Sequence, residues 1–150
     1  MLRELAARYP DDVRVVFRHF PLDESCNPAL TRPVHPTACL AAEAAECAGE
    51  QGQFWPYADL LFSRPGSREA RSLEEYAGIA SLDLASFRAC MEQGRGREGV
   101  RQDLEAAAAI DVKVTPTLVI NGRKVEGALT FEQLALVVEA ERERLAGAAP

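Results

Sequence analysis

The stretch Val114-Thr-Pro-Thr-Leu-Val-Ile-Asn-Gly122 decides how the rest of this chain folds. Thr117 to Ile120 is a short run of β-branched and apolar residues, which is typical of a buried strand. Asn121-Gly122 follows directly and predicts a tight hairpin turn, because both residues tolerate positive φ angles. Arg123 to Glu126 is then predicted to be the return strand. Pro116 stands at the edge of the first strand, where a missing N–H costs least.

Composition indicates a single globular domain. The chain has 150 residues, of which 47% are apolar and 27% are charged, and this is the size and make-up of one ordinary domain. Its longest apolar runs are far shorter than the roughly 20 residues that a membrane-spanning helix needs. The net charge is −6 and no basic cluster stands out. Nucleic acid and anionic membrane surfaces are therefore poor candidates as partners.

Helical patterns fill most of the chain on either side of the strand-like segments. A short helix is predicted from Leu2 to Arg8, and the alternating segment Val13 to Phe20 is predicted to be the first strand. Five further helices are expected to begin near Thr37, Phe54, Ser72, Asp83 and Arg97. Pro65-Gly66 should end the second of these five, and Ser72 and Asp83 should cap the third and fourth. The last helix follows the hairpin and opens with the capping box Thr130-Phe-Glu-Gln133.

Four segments of the chain occur in the order found in one known family. They are Val13-Arg-Val-Val-Phe-Arg-His-Phe-Pro-Leu22, Ala44-Ala-Glu-Cys-Ala-Gly-Glu-Gln-Gly-Gln-Phe-Trp55, Leu82-Asp-Leu-Ala-Ser-Phe-Arg-Ala-Cys90 and the Thr-Pro strand with its Asn-Gly hairpin. Together they resemble the thioredoxin-fold proteins of the DsbA-like kind. The resemblance implies an α/β, thioredoxin-like fold with an inserted helical subdomain. The thioredoxin core would comprise residues 1–36 and 111–150, and the insertion residues 37–110.

The resemblance also implies a thiol–disulfide oxidoreductase that acts on protein thiols or disulfides. In that family a Cys-x-x-Cys dithiol performs the exchange, and the residue before a cis-proline offers its backbone to the substrate peptide. Thr115 and Pro116 match that loop and are therefore the candidate substrate-binding residues, with a cis bond between them. The chain departs from the family because the Cys-x-x-Cys and the strand that leads to it are absent. We therefore assign no catalytic residue and expect this chain alone to be inactive in dithiol exchange.

From the same departure we expect the chain to be a piece of a longer protein. Met1 would be an internal residue, preceded by a strand, the dithiol and a signal or membrane anchor, in an extracytoplasmic or periplasmic setting. No signal peptide opens the chain itself. The missing strand would lie between Val13–Phe20 and Thr117–Ile120, and the two unpaired edges could then support self-association. Substrate proteins and a redox-partner membrane protein are the partners that the resemblance implies.

The four cysteines, Cys26, Cys39, Cys47 and Cys90, fit either two disulfides or four reduced thiols. Cys39 and Cys47 lie on one predicted helix with about 12 Å of rise between them. A disulfide needs Cα atoms within about 7 Å, so these two cannot pair and two full pairings survive. We favour Cys26–Cys39 with Cys47–Cys90, because a short proline-rich loop ties Cys26 to the start of that helix. No catalytic role is expected, because no cysteine lies one helical turn from another at a strand-to-helix junction.

The two histidines lack the spacing of a metal site. His35 and Cys39 are four residues apart, but Pro36 interrupts any helix between them. His19 stands at a strand end and is expected to be structural. We therefore assign neither a metal nor a cofactor.

Two other classes of function stay open. One is a non-catalytic thioredoxin-fold module that binds peptides or a partner protein. The other is a glutathione-dependent isomerase or transferase of related fold, since such proteins also lack Cys-x-x-Cys. The Asn121-Gly122 hairpin and the paired helical cysteines favour the oxidoreductase branch, and a test of glutathione binding would separate the classes.

Overall fold

The computed structural model describes residues 1–32, 34–63 and 70–147. Its elements, in chain order, are α1 Leu2–Arg8, α2 Ala38–Gly49, α3 Phe54–Ser63, α4 Ala70–Ile79, α5 Leu84–Gln93, α6 Arg95–Ala109, β1 Thr117–Ile120, β2 Arg123–Glu126 and α7 Phe131–Ala146. The chain divides into two compact units. One unit is Met1–Phe17 with the chain from Val114 onward, and the other is Arg18–Lys113, which we call the helical unit.

The hairpin of the first unit forms as its sequence predicts. Strands β1 and β2 pair antiparallel, with Thr117 opposite Glu126 and Ile120 opposite Arg123. Asn121 and Gly122 form the turn with φ angles of 47° and 82°, which only residues tolerant of the left-handed region adopt readily. The hairpin thus fixes where the chain enters β1, and with it the position of the Thr-Pro loop.

The capping box that opens α7 is also present. The N–H of Gln133 donates to the Thr130 hydroxyl at 3.3 Å, and the N–H of Thr130 donates to the Gln133 side-chain oxygen at 2.8 Å. Two backbone donors at the helix start are satisfied in this reciprocal way. Leu134 is buried on this helix, and α7 packs against α1 in the same unit.

The prediction of a first strand at Val13–Phe20 is wrong. The structure has no strand there, and the sheet formed by the described residues consists of β1 and β2. A strand needs a neighbouring backbone to bond with, and here a side chain takes one of the donors. The N–H of His19 donates to Asp103 Oδ2 at 2.7 Å. The two compact units divide inside this segment, after Phe17.

Helix α2 is the centre of the helical unit and packs against α3, α4, α5 and α6. Its buried face consists of small residues, Cys39, Ala41, Ala42, Ala44, Ala45, Cys47 and Ala48. Small side chains allow close approach, and α6 comes so near that a Cβ at Gly96 would lie 2.4 Å from the carbonyl oxygen of Glu43. Tyr57 of α3 is fully buried, and its hydroxyl donates to the Leu73 carbonyl at 2.9 Å.

Helix ends in this unit follow the local sequence with two exceptions. Asp83 caps α5 as predicted, since its Oδ1 accepts the Ser86 N–H at 2.7 Å. Ser72, however, lies inside α4, which begins at Ala70. Helix α6 begins at Arg95, two residues before the predicted start, because the left-handed Gly94 ends α5 and also precedes α6 directly. The predicted break at Pro65-Gly66 lies outside the described residues.

Candidate functional site

The Thr115–Pro116 loop is exposed and stands directly before β1. The peptide bond between the two residues is cis. The Thr117 hydroxyl donates to the Val114 carbonyl at 2.7 Å, and the Gly127 N–H donates to the Pro116 carbonyl at 2.8 Å. These two bonds hold the loop from both sides, so its shape is set by the hairpin on which it sits.

The backbone N–H and C=O of Thr115 are available for a hydrogen-bonding partner. The backbone hydrogen bonds among the described residues include none from the Thr115 N–H or C=O, and the residue is exposed. An extended backbone with unused donors and acceptors can bind a peptide as an added strand. The geometry of this loop therefore permits peptide binding.

The cysteines form the two disulfides that the sequence favours. Cys26 is joined to Cys39 with Cα atoms 6.0 Å apart, and Cys47 to Cys90 with Cα atoms 5.8 Å apart. Cys47 and Cys90 are each 1% exposed and connect α2 to α5 in the core. Cys39 is also buried, whereas Cys26 is partly exposed. All four sulfur atoms are thus used within the helical unit.

A buried carboxylate anchors the loop that carries Cys26. Asp23 Oδ1 accepts the Ser25 N–H at 3.0 Å, and Asp23 Oδ2 accepts the Cys39 N–H at 3.4 Å, in the first turn of α2. Burial by itself would raise the pKa of Asp23, but the N–H donors of Ser25, Cys39 and Thr37 together hold it below its ordinary value. Asp23 therefore stays ionised and holds the loop against the start of α2.

A second cluster of polar and charged side chains is centred on the buried His19. The ring Nε2 of His19 lies 3.0 Å from Glu46 Oε1, and its backbone N–H donates to Asp103. Arg18 donates to the other oxygen of Asp103 at 2.8 Å. Burial lowers the pKa of His19, although the nearby charges of Glu46 and Asp103 oppose that effect. The ring is therefore neutral at neutral pH.

Sequence reasoning missed this cluster. His19, Glu46 and Asp103 come from three separate segments, and no local pattern connects them. Their ligand atoms lie within 4.8 Å of one another, as the donors of a metal site would. Both Asp103 oxygens already accept hydrogen bonds, and the near oxygen of Glu46 faces the ring of His19. We interpret the cluster as the Arg18–Asp103 ion pair together with the contacts of the neutral His19, which join the segment at His19 to α2 and α6.

Three relatives of this chain are named Na(+)/H(+) antiporters. NhaA 3 of Salinispora tropica is 40% identical over 137 residues, NhaA 1 of Salinispora arenicola is 38% identical over 137 residues, and NhaA of Herminiimonas arsenicoxydans is 34% identical over 139 residues. The matches cover 91%, 91% and 93% of this chain and 20% of each relative. The chain thus spans about a fifth of the length of these curated relatives.

Within residues 1–32, 34–63 and 70–147, no helix combines the length and the apolar character that a membrane crossing requires. No solved structure matches the chain. A family model described as "Thioredoxin" matches residues 1–140, which is nearly the whole chain. With the hairpin, the helical unit and their order along the chain, this match confirms the α/β thioredoxin-like fold, and the chain belongs to the thioredoxin family.

Proposed function

We propose that this chain carries the substrate-binding loop of a DsbA-like thiol–disulfide oxidoreductase. The observation that carries the proposal is the exposed Thr115 directly before β1, whose N–H and C=O make no backbone hydrogen bond with the described residues. A substrate peptide would lie extended beside Thr115 and exchange backbone hydrogen bonds with it. Membership of the thioredoxin family supports this assignment.

In this proposal the reactive dithiol is supplied from outside residues 1–150. The chain has no Cys-x-x-Cys, and its four cysteines are closed in two disulfides. The role of the chain is then to hold a cysteine-containing segment of the substrate, so that a thiolate from elsewhere can attack it. The residues assigned to that role are Thr115 and Pro116.

We further propose an extracytoplasmic setting next to a membrane protein. Disulfides form and persist in oxidising compartments such as the periplasm, and this chain has two of them. The relatives are named as antiporters, and one fifth of their length resembles this chain. The partners would be substrate proteins that carry thiols or disulfides, and a membrane protein.

Binding of an extended peptide can be tested without any exchange chemistry. The probe is an unfolded peptide with one S-methylated cysteine, which is titrated into ¹⁵N-labelled protein. We expect amide shifts at Val114, Thr115 and Thr117, and none at the Asn121-Gly122 turn. Shifts confined to other parts of the chain would refute the assignment of the loop.

A pair of substitutions tests the backbone of Thr115 directly. Thr115→Pro removes the N–H, and Thr115→Ala keeps it while removing the hydroxyl. Loss of one net hydrogen bond should weaken peptide binding roughly 2- to 10-fold for Thr115→Pro. Thr115→Ala should bind like the parent, provided that circular dichroism shows both variants folded. Equal weakening in both variants would assign binding to the side chain and contradict the proposed mode.

A second candidate is a non-catalytic peptide-binding module, and the closure of all four cysteines favours it. The two functions differ in whether a covalent intermediate forms. Trapping with an unmodified cysteine peptide, in the protein isolated from its own source, should give a mixed disulfide to a cysteine outside residues 1–150 if the oxidoreductase proposal holds. Peptide binding with no mixed disulfide would favour the module. Binding of glutathione at the Thr115 loop would instead favour the related transferases.

A further inference from the structure

The two disulfides of the helical unit differ in their access to solvent. Cys47 and Cys90 are each 1% exposed and belong to the main core cluster. Cys26 is partly exposed and lies in the irregular segment before α2, while its partner Cys39 is buried at 6% exposure. An attacking thiolate must reach a sulfur along the S–S axis, so access limits the rate of exchange. The Cys26–Cys39 pair therefore includes a partly exposed cysteine, and the Cys47–Cys90 pair does not.

The segment that carries Cys26 is held in place without its disulfide. The Leu22 carbonyl accepts N–H bonds from Val34 at 3.1 Å and from His35 at 2.8 Å, which closes the loop at its base. The buried Asn27 donates from Nδ2 to the Pro21 carbonyl at 2.9 Å. Together with the bonds of Asp23, these hydrogen bonds tie the segment to the start of α2 in addition to the disulfide. Such a frame can hold an oxidised and a reduced pair in nearly the same place.

The surroundings of Cys39 suit a thiol as well as a disulfide sulfur. The Cys39 Sγ lies 3.5 Å from the Asp23 carbonyl oxygen, which can accept a weak S–H hydrogen bond once the disulfide opens. A thiol at Cys39 would therefore find an acceptor already in place once the disulfide opens.

We infer that Cys26–Cys39 is a thiol-exchange site, at which a dithiol delivers two electrons through Cys26. A thiolate of the dithiol attacks Cys26 Sγ, the Cys26–Cys39 bond breaks, and Cys39 leaves with the bonding electron pair as a thiolate, which takes its proton from the remaining thiol of the dithiol. The second thiolate of the dithiol attacks its own mixed-disulfide sulfur and releases Cys26. The dithiol is oxidised to a disulfide, and Cys26 and Cys39 are reduced. This site belongs to the helical unit and does not depend on the role proposed for Thr115.

Stepwise reduction of the native chain tests the inference against a control within the same molecule. The probe is dithiothreitol in rising concentration, followed by alkylation and peptide mass spectrometry. We expect Cys26 and Cys39 to be alkylated while Cys47 and Cys90 stay unlabelled and near-ultraviolet circular dichroism is retained. The inference is overturned if both pairs open together, if Cys47–Cys90 opens first, or if Cys26 and Cys39 are labelled only after the tertiary signal is lost.

The direction of attack is tested with two single substitutions. Cys39→Ser leaves the partly exposed Cys26 as a thiol, and Cys26→Ser leaves the buried Cys39. An aromatic disulfide reagent should label Cys26 at least about 10-fold faster than Cys39. In the parent protein, glutathione should form its mixed disulfide on Cys26. A mixed disulfide on Cys39, or equal labelling rates for Cys26 and Cys39, would contradict attack at Cys26. If either variant fails to fold, the stepwise reduction of the parent protein still decides the inference.

Discussion

The ring Nε2 of His19 lies 3.0 Å from Oε1 of Glu46, in a cluster that also includes Asp103. His19 is 7% exposed, and burial holds its pKa below the ordinary value of 6.5. The unfolded chain therefore binds more protons than the folded chain as the pH falls through about 6.5. Below about pH 6.5, proton uptake at His19 should therefore favour the unfolded chain.

The first prediction concerns the pH dependence of stability. The free energy of unfolding in urea should decrease as the pH falls below about 6.5, because protonation of His19 favours the unfolded chain. His19→Gln should flatten this part of the profile, whereas substitution of the exposed His35 by glutamine should leave it as in the parent. A parent profile that is flat between about pH 7 and pH 5 would contradict the role given to His19.

The second prediction concerns the close contact of α2 and α6. Gly96→Ala should destabilise the chain by about 1–3 kcal/mol, because a Cβ there would lie 2.4 Å from the Glu43 carbonyl oxygen and the helices must move apart. Gly78→Ala is the matched control, since a Cβ at Gly78 in α4 would meet no atom of the described residues within 4 Å. The control should be stabilised by roughly 0.5–1 kcal/mol. Equal effects in urea unfolding would show that α2 and α6 do not meet so closely in solution.

The third prediction separates the two disulfides by their loop lengths. Cys47 and Cys90 are 43 residues apart, and Cys26 and Cys39 are 13 apart. In the chain-entropy model, removing the first pair by Cys47→Ala with Cys90→Ala should cost about 4 kcal/mol, and removing the second in the same way about 3 kcal/mol. Urea unfolding of the two double variants measures the difference. A larger loss for the shorter loop would show that contacts around Cys26, rather than chain entropy, dominate.

The fourth prediction concerns the start of α7. Thr130→Ala should destabilise this helix by about 1 kcal/mol, because the Gln133 N–H loses its acceptor. Thr130→Ser keeps a hydroxyl and should retain most of the stability. Amide hydrogen exchange of the first turn of α7 gives the readout, and unchanged exchange in Thr130→Ala would argue against a cap in solution.

Features set by neighbouring residues could be predicted from the sequence. The Asn121-Gly122 turn, the Thr130 capping box and the Asp83 cap depend on side chains within three residues, and all three are present. The possible cysteine pairings could be narrowed from three to two, because Cys39 and Cys47 lie too far apart on one helix to be joined. The fold class was accessible through the resemblance, and the family match confirms the thioredoxin-like fold.

Features set by distant residues could not be predicted in this way. The segment Val13–Phe20 has the alternation of a strand, but pairing depends on a partner that the alternation does not specify. Its His19 N–H instead meets Asp103, a residue of α6. The cluster of His19 with Glu46 and Asp103 has the same origin, since helix packing alone brings the three side chains together.

Gly94 has a consequence for how this chain tolerates change in length. Gly94 follows the last residue of α5 and directly precedes the first residue of α6, and its φ angle is 64°. No spacer separates the two helices, so one inserted residue at this corner would rotate α6 by about 100° about its own axis. Such a rotation would turn Gly96 away from Glu43 and carry Asp103 away from His19. The connection at Gly94 thus sets which face of α6 packs against α2. Insertions at this connection should therefore be far less tolerated than substitutions on the exposed face of α6.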